Sequence, residues 1–250
     1  KDGSKKGQPK KDGRGKDIKI IAKDRNGKSL FRNVKRLREL MAPHCYRIRK
    51  DECFDLPDKT RLTVPVTMSN HQWKHYKEVA KDLCTNFRGY DIEAILKLKQ
   101  TLRLRQITSG WLPINSQESA PIDDANVKVN RIIELIDEMD GQVVIWAQWK
   151  PEFAALCKAI DHAYPNQGIT KYWGAIGGDA REDGLNSFHR GDNRFFVGNP
   201  ACGGRGIDLV SSWQTVYMSN DFSWEKREQS EDRTHRHGQE SAKIIYLDVI

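Results

Sequence analysis

From residue 127 onward the chain alternates between two hydrophobic periods. Helical spacing over Val129–Glu138 gives way to an unbroken apolar run, Val143–Trp146. The same exchange recurs in a helix over 151–161 and a strand over 169–173, then a helix over 180–188 and a strand over 194–197. A strand over 215–218, a helix over 226–237 and a strand over 243–249 complete the series. Strands that are apolar at nearly every position are buried on both faces, and the helices between them supply the covers. The pattern predicts an α/β fold, a parallel sheet with helices on both faces and ligand loops beyond the carboxyl ends of the strands.

Upstream the pattern differs. Val34, Leu37, Leu40 and Met41 fall at helical spacing, with Pro43 closing the element. Residues 62–67 alternate as a strand, 70–87 and 92–107 read as helices with apolar stripes, and 111–124, broken by Pro113 and Pro121, reads as a loop. Residues 1–30 are rich in Lys, Gly and Asp and too poor in large apolar side chains to offset the entropy of ordering, so they read as a flexible basic linker or insertion. Three segments follow: 1–30, a largely helical extension over 31–124, and the α/β lobe over 125–250.

Charge changes this picture in one respect. The net charge of +8 invites a nucleic-acid reading, yet residues 1–50 hold 18 Lys and Arg against 5 Asp and Glu, while the remaining 200 hold 24 against 29. The surplus belongs to the N-terminal segment, so nucleic-acid contact by the lobe must come from a local track rather than a bulk field. Five cysteines at irregular spacing, with no Cys-x-x-Cys pair, argue against a disulfide framework or zinc knuckle and for reduced thiols in the cytoplasm. No apolar run reaches membrane-spanning length. His71 and His75 share a helical face, but Gln72 stands where a zinc protease needs glutamate, and no metal site is expected.

The densest chemistry lies in the last fifth. Gly203-Gly204-Arg205-Gly206-Ile207-Asp208-Leu209 precedes Gln229-Ser230-Glu231-Asp232-Arg233-Thr234-His235-Arg236-His237-Gly238-Gln239. Ser223 is placed to start the second segment's helix and Gly238 to stop it. On a continuous helix Gln229, Arg233 and Arg236 project from one face. Two forked, permanently charged guanidiniums beside a glycine loop suit a polyphosphate, whose charge spreads during phosphoryl transfer.

These segments resemble motifs V and VI of superfamily 2 helicases, and specifically of the Swi/Snf-type DNA translocases. Val143–Trp149 resembles motif IV. Tyr172-Trp173-Gly174, Arg181, Phe188 and the Ser219–Trp224 turn fall in family order. Leu56-Pro57-Asp58-Lys59-Thr60, Met68–Gln72 with Tyr76, and Leu104-Arg105-Gln106-Ile107 resemble the region joining the two motor lobes. Asn220-Asp221-Phe222-Ser223 and Asp248 resemble the phage and bacterial branch.

The resemblance implies a RecA-like lobe in which Arg236 is the arginine finger with Arg233 beside it. It also implies that Gly204, Gly206, Asp208 and Gln229 bind nucleotide, and that Gln148, Trp149, Lys150, Asn199 and Arg205 follow the DNA backbone. The cofactor implied is ATP with Mg2+. The Gly-x-x-x-x-Gly-Lys-Ser/Thr loop and the acidic magnesium-binding strand end are absent from this sequence and belong, in the family, to a first lobe. The partners expected are therefore double-stranded DNA and that lobe, with no membrane, and the chain alone is expected to be inactive. The sequence reads as a piece of a longer motor. Pro200 and Arg205 depart from the family pattern, and Arg-Gly-Ile-Asp resembles RNA helicases instead. An RNA or single-strand helicase lobe and a non-catalytic DNA-binding adaptor remain as alternatives.

Overall fold

The computed structural model describes residues 33–46, 48, 50–93, 97–115, 118–203 and 206–250. The basic segment expected over 1–30 lies outside them, as do Gly204 and Arg205. The chain divides into two compact units, residues 1–53 and 54–250. In the first, α1 (Val34–Met41) carries Val34, Leu37, Leu40 and Met41 and passes into a 3-10 turn, Ala42–His44, that contains Pro43.

The second unit opens with β1 (Asp58–Val64) and α2 (Asn70–Asp82). The Ser69 hydroxyl caps α2 by accepting from the Gln72 amide, while the Gln72 side chain reaches back to the Ser69 amide. The helix expected over 70–87 stops early because Leu83 turns into the left-handed region (φ 58°). Residues 84–93 instead form an antiparallel hairpin, β2 (Cys84–Phe87) and β3 (Tyr90–Glu93). Its two-residue turn, Arg88-Gly89, has both φ values positive (52° and 81°), which suits the right-handed twist of a hairpin. The helix expected over 92–107 is accordingly α3 (Lys97–Thr108). The expected loop over 111–124 contains a second hairpin, β4 (Trp111–Pro113) and β5 (Ser119–Pro121); its prolines sit at strand ends, where no ladder is broken.

The lobe then runs α4 (Val127–Asp137), β6 (Val143–Trp146), α5 (Lys150–Ala163), β7 (Ile169–Tyr172) and α6 (Gly178–His189). It ends with β8 (Phe195–Gly198), α7 (Pro200–Gly203), β9 (Gln214–Tyr217), α8 (Trp224–Glu231) and β10 (Lys243–Val249). Six strands form one sheet in the order β1-β10-β9-β6-β8-β7, every pair parallel. The fold is the expected RecA-like α/β sheet, with one addition. The edge strand β1 comes from the upstream extension and pairs with β10 from Asp58↔Lys243 to Val64↔Val249. The sheet therefore crosses the expected boundary between residues 124 and 125.

Alternation within β6 divides the core. Val143 and Ile145 face α4 and α5, meeting Ile132, Ile136, Leu156 and Ile160. Val144 and Trp146 face the opposite way, toward Phe188, Phe196, Tyr217 and Tyr246. Gly198 ends β8 where a Cβ would meet the Phe196 ring at 2.8 Å, so the close ring packing there requires glycine. A third cluster, Val79, Ile107, Leu112 and Ala120, holds α2, α3 and the second hairpin together.

Candidate functional site

The loops after β6, β8 and β9 leave the carboxyl edge of the sheet. The loop after β8 passes through α7 and reaches Gly206 (φ +78°), buried Ile207 and half-buried Asp208. It is joined to the segment after α8. Leu209 donates its amide to the Arg233 carbonyl (3.0 Å), and Arg233 Nη1 donates to the Ile207 carbonyl (3.1 Å). Arg236 Nε lies 3.8 Å from Asp208 Oδ2, both side chains 43 % exposed. Burial, and then the neighbouring Arg236 cation, lower the Arg233 pKa.

The continuous helix expected over 226–237 is not formed. α8 ends at Glu231, and tighter turns follow: Thr234 donates to Glu231 O at 3.1 Å, and Gln239 to Arg236 O at 3.2 Å. The arginines are assembled by these turns and by the β8 loop, rather than by one helical face. Arg233 Nε donates to the Gln229 carbonyl (3.1 Å), so Gln229, Arg233, Arg236 and Asp208 remain neighbours. The Gln229 amide itself donates to Glu225 (2.9 Å). Gly238, expected to stop that helix, has φ +95° but lies seven residues beyond its end and closes the following turns instead.

A second group surrounds the loop after β6. Glu152, fully buried in the first turn of α5, accepts through Oε2 from the Gln148 amide (3.1 Å), the Trp149 amide (3.0 Å) and the Ser219 hydroxyl (2.6 Å). It ties the loops after β6 and β9 together. Burial pushes its carboxyl above the usual range, partly offset by hydrogen bonds such as that from Ser219. Buried Lys128 donates to the carbonyls of Met218 (3.3 Å) and Val249 (2.8 Å) and has its pKa lowered by burial. Above them opens a cleft of about 350 Å³ bordered by Arg105, Lys128, Trp149, Asn220 and Phe222. Arg105 lies 4.4 Å from the Phe222 centroid and 5.5 Å from that of Trp149. It also donates to the Asn220 carbonyl.

Of the expected DNA contacts, Lys150 is exposed and Gln148 and Trp149 are half-buried. Asn199 is buried and inward: Nδ2 donates to the Ala147 and Gln148 carbonyls (3.2 and 3.0 Å), and Oδ1 accepts from the Ala201 amide (2.8 Å). Its side chain braces the β6 loop and is not presented to a partner. Gly204 and Arg205 lie outside the described residues. Among the described residues no group of three His, Cys, Asp or Glu could hold a metal, and no helix is long and apolar enough to cross a membrane.

Sequence reasoning missed an ionic cluster behind the arginines. Glu231, with no exposed side-chain surface, receives Arg61 Nε (3.0 Å) and Nη2 (2.7 Å), Lys59 Nζ (3.1 Å) and Arg227 Nε (2.9 Å). Arg227 also pairs with Asp248 (2.5 Å). Burial opposes ionisation of Glu231, but hydrogen bonds from Arg61 and Arg227 and the Lys59 charge outweigh it, leaving its pKa at about 2. The only local signal was the four-residue spacing of Arg227 and Glu231.

Residues 127–238 match the helicase conserved C-terminal domain family. The chain is 24 % identical over 87 % of its length to "Protein CHROMATIN REMODELING 4" of Arabidopsis thaliana, covering 10 % of that protein. It is 24 % identical over 85 % of its length to "Chromodomain-helicase-DNA-binding protein 3 homolog" of Caenorhabditis elegans, covering 13 % of it. It therefore spans a small part of these relatives. Among solved structures, the Sulfolobus solfataricus SWI2/SNF2 ATPase core in complex with dsDNA superposes with a TM-score of 0.57 at 20 % identity, over 86 % of this chain and 46 % of that one. The C-terminal part of the Fun30 ATPase domain gives 0.57 at 14 % identity, over 78 % and 86 %.

Proposed function

We propose that the chain, whose residues 127–238 match the helicase conserved C-terminal domain family, is the second motor lobe of a Swi/Snf-type ATP-dependent translocase on double-stranded DNA. One observation carries the reading. The glycine-containing loop after β8 and the turn after α8 are bonded to each other, and between them they bring Arg233, Arg236 and Asp208 into one neighbourhood.

The donor set suits a nucleoside triphosphate. ATP with Mg2+ supplies the transferable phosphoryl group when bound. This chain contributes charge and position. Arg233 is fixed by two carbonyls, whereas the Arg236 side chain, among the described residues, meets Asp208 in a long, half-exposed contact, a weak pairing that leaves it able to turn toward a polyphosphate. Arg236 is then the finger that neutralises charge developing on the phosphoryl oxygens. Asp208 offers an acceptor for a ribose hydroxyl, Gly204 and Gly206 let the backbone approach the nucleotide, and Gln229 orients Arg233. The phosphate cradle and the magnesium ligands come from a first lobe, so this chain alone neither hydrolyses ATP nor translocates.

The relative solved with dsDNA supports duplex as the track. Gln148, Trp149, Lys150 and Arg205 are the proposed backbone contacts, in a cytoplasmic, DNA-associated setting. A phage or bacterial origin rests on the Asn220–Ser223 turn and Asp248. The test is ATP turnover by the intact motor with and without duplex DNA or RNA. Arg236→Ala is expected to lower turnover by roughly 10³–10⁵ with duplex affinity retained. Turnover within a few-fold of wild type rejects the finger, stronger stimulation by RNA rejects the duplex track, and an intact motor with no turnover favours the adaptor.

A further inference from the structure

Both carboxylate oxygens of Glu231 are occupied, Oε1 by Arg61 and Arg227, Oε2 by Arg61 and Lys59. A buried ionic cluster is weak evidence for stability, because apolar residues of similar volume often hold a core equally well, and its best-attested use is to fix geometry. Here it fixes the geometry of a particular junction. The Glu231 carbonyl ends α8 and accepts from the Thr234 amide, the His235 amide (2.9 Å) and the Tyr246 hydroxyl (3.1 Å). Arg233 and Arg236 follow within five residues. Two more ties join the same stretches: His235 Nε2 to the Pro57 carbonyl at 3.0 Å, and Lys59 to Asp232 at 3.8 Å. Residues 57–61 are thus bonded to 231–235 through side chains, in addition to the β1–β10 ladder.

We propose that Glu231, Lys59 and Arg61 form a clamp that ties the strand entering the lobe to the turn bearing Arg233 and Arg236, with Glu231 a positioning residue for ATP hydrolysis. The inference rests on the motor reading above, in which the chain before β1 leads from the first lobe. A shift of that strand as the lobes close is then passed to the arginines as a rigid displacement, and a loosened clamp leaves Arg236 misplaced although nucleotide and DNA still bind. Effects on kcat without effects on KM mark interactions realised only in the transition state.

The experiment compares wild-type intact motor with Arg61→Gln, Lys59→Met, Glu231→Gln and the Arg61→Gln/Glu231→Gln double variant. DNA-stimulated kcat is expected to fall at least about tenfold in each single variant, with KM for ATP and duplex affinity within about twofold of wild type. The double variant is expected to be no slower than Glu231→Gln, since both remove one device. Arg61 sits at the rim, its side chain 44 % exposed, and Lys59 is also partly exposed, so these two variants decide the matter if Glu231→Gln does not fold. A lowered melting temperature with unchanged kcat per folded molecule overturns the clamp and leaves the motor reading intact. A wild-type motor that never hydrolyses ATP overturns both.

Discussion

Asn199 shows how far a residue's role depends on which way it points. Read along the chain it is a polar side chain at the end of a buried strand, where ligand loops begin. In the fold it turns back and satisfies two carbonyls of the neighbouring loop. Asn199→Ala is expected to cost about 1–3 kcal/mol, because a buried and a part-buried acceptor lose their donor. The thermal midpoint should drop by several degrees. Lys150→Ala makes the contrast: it is exposed, and its loss should leave the midpoint unchanged while reducing the slope of log affinity against log salt by about 0.9 per lost phosphate contact. Melting curves and duplex titrations at several salt concentrations separate the two; an Asn199→Ala protein with wild-type stability and weakened DNA binding would reverse the assignment. Charge type and glycine-loop context single out Arg236 and Asp208 in the sequence, and the fold brings the two side chains within 3.8 Å of each other. Glu231 was not legible there, because its partners Lys59 and Arg61 lie some 170 positions away.

At the scale of elements, strands β6 to β10 were readable to within a residue or two, since uninterrupted apolar runs admit few other structures. The end of α8 was not. No proline or glycine interrupts residues 226–237, and local propensity carries the helix through them. Bonds from Leu209 to Arg233 and from the Arg233 side chain to Ile207 belong to tertiary structure, and they accompany a tighter path. The β2–β3 hairpin escaped for the complementary reason: its strands are four residues each, too short for a period-2 signal to outweigh flanking helical stripes. The Glu231 cluster that anchors α8 to β1 has a consequence in pH. Its carboxyl titrates near 2 when folded and near 4.5 otherwise. A depressed folded pKa means that the stabilisation is complete above about pH 4.5 and is lost as pH falls toward 2. Unfolding of wild-type protein should therefore steepen with acid across that window, and Glu231→Gln should flatten the dependence there. Equal slopes for the two proteins in denaturant titrations between pH 5 and pH 2.5 would show that the carboxylate is not held ionised by its cations.

For the molecule as a whole, the sequence pattern drew a boundary at residue 125, where the helix–strand alternation begins. The sheet is laid down differently. β1 covers the outer edge of β10, Val64 and Val66 pack against the core, and the Val66 amide and Ile250 amide exchange bonds with the Ile250 and Val64 carbonyls (2.7 and 3.0 Å). An apolar strand such as β10 left at an edge is a template for pairing with other chains. Removing β1 also leaves Glu231 with Arg227 alone among its three cationic partners, and a buried carboxylate stripped of partners is costly. A chain starting at Phe54 keeps all of these contacts, whereas one starting at Ala125 loses them together with the Val79–Ile107–Leu112–Ala120 cluster. The 54–250 protein is expected to unfold cooperatively as a monomer. The 125–250 protein is expected to be unfolded or to self-associate. Circular-dichroism melts and sedimentation velocity on the two proteins decide this. A monomeric 125–250 chain melting like 54–250 would mean that β1 is an ornament on a lobe complete without it, and would remove the structural ground for coupling the joining region to the arginines.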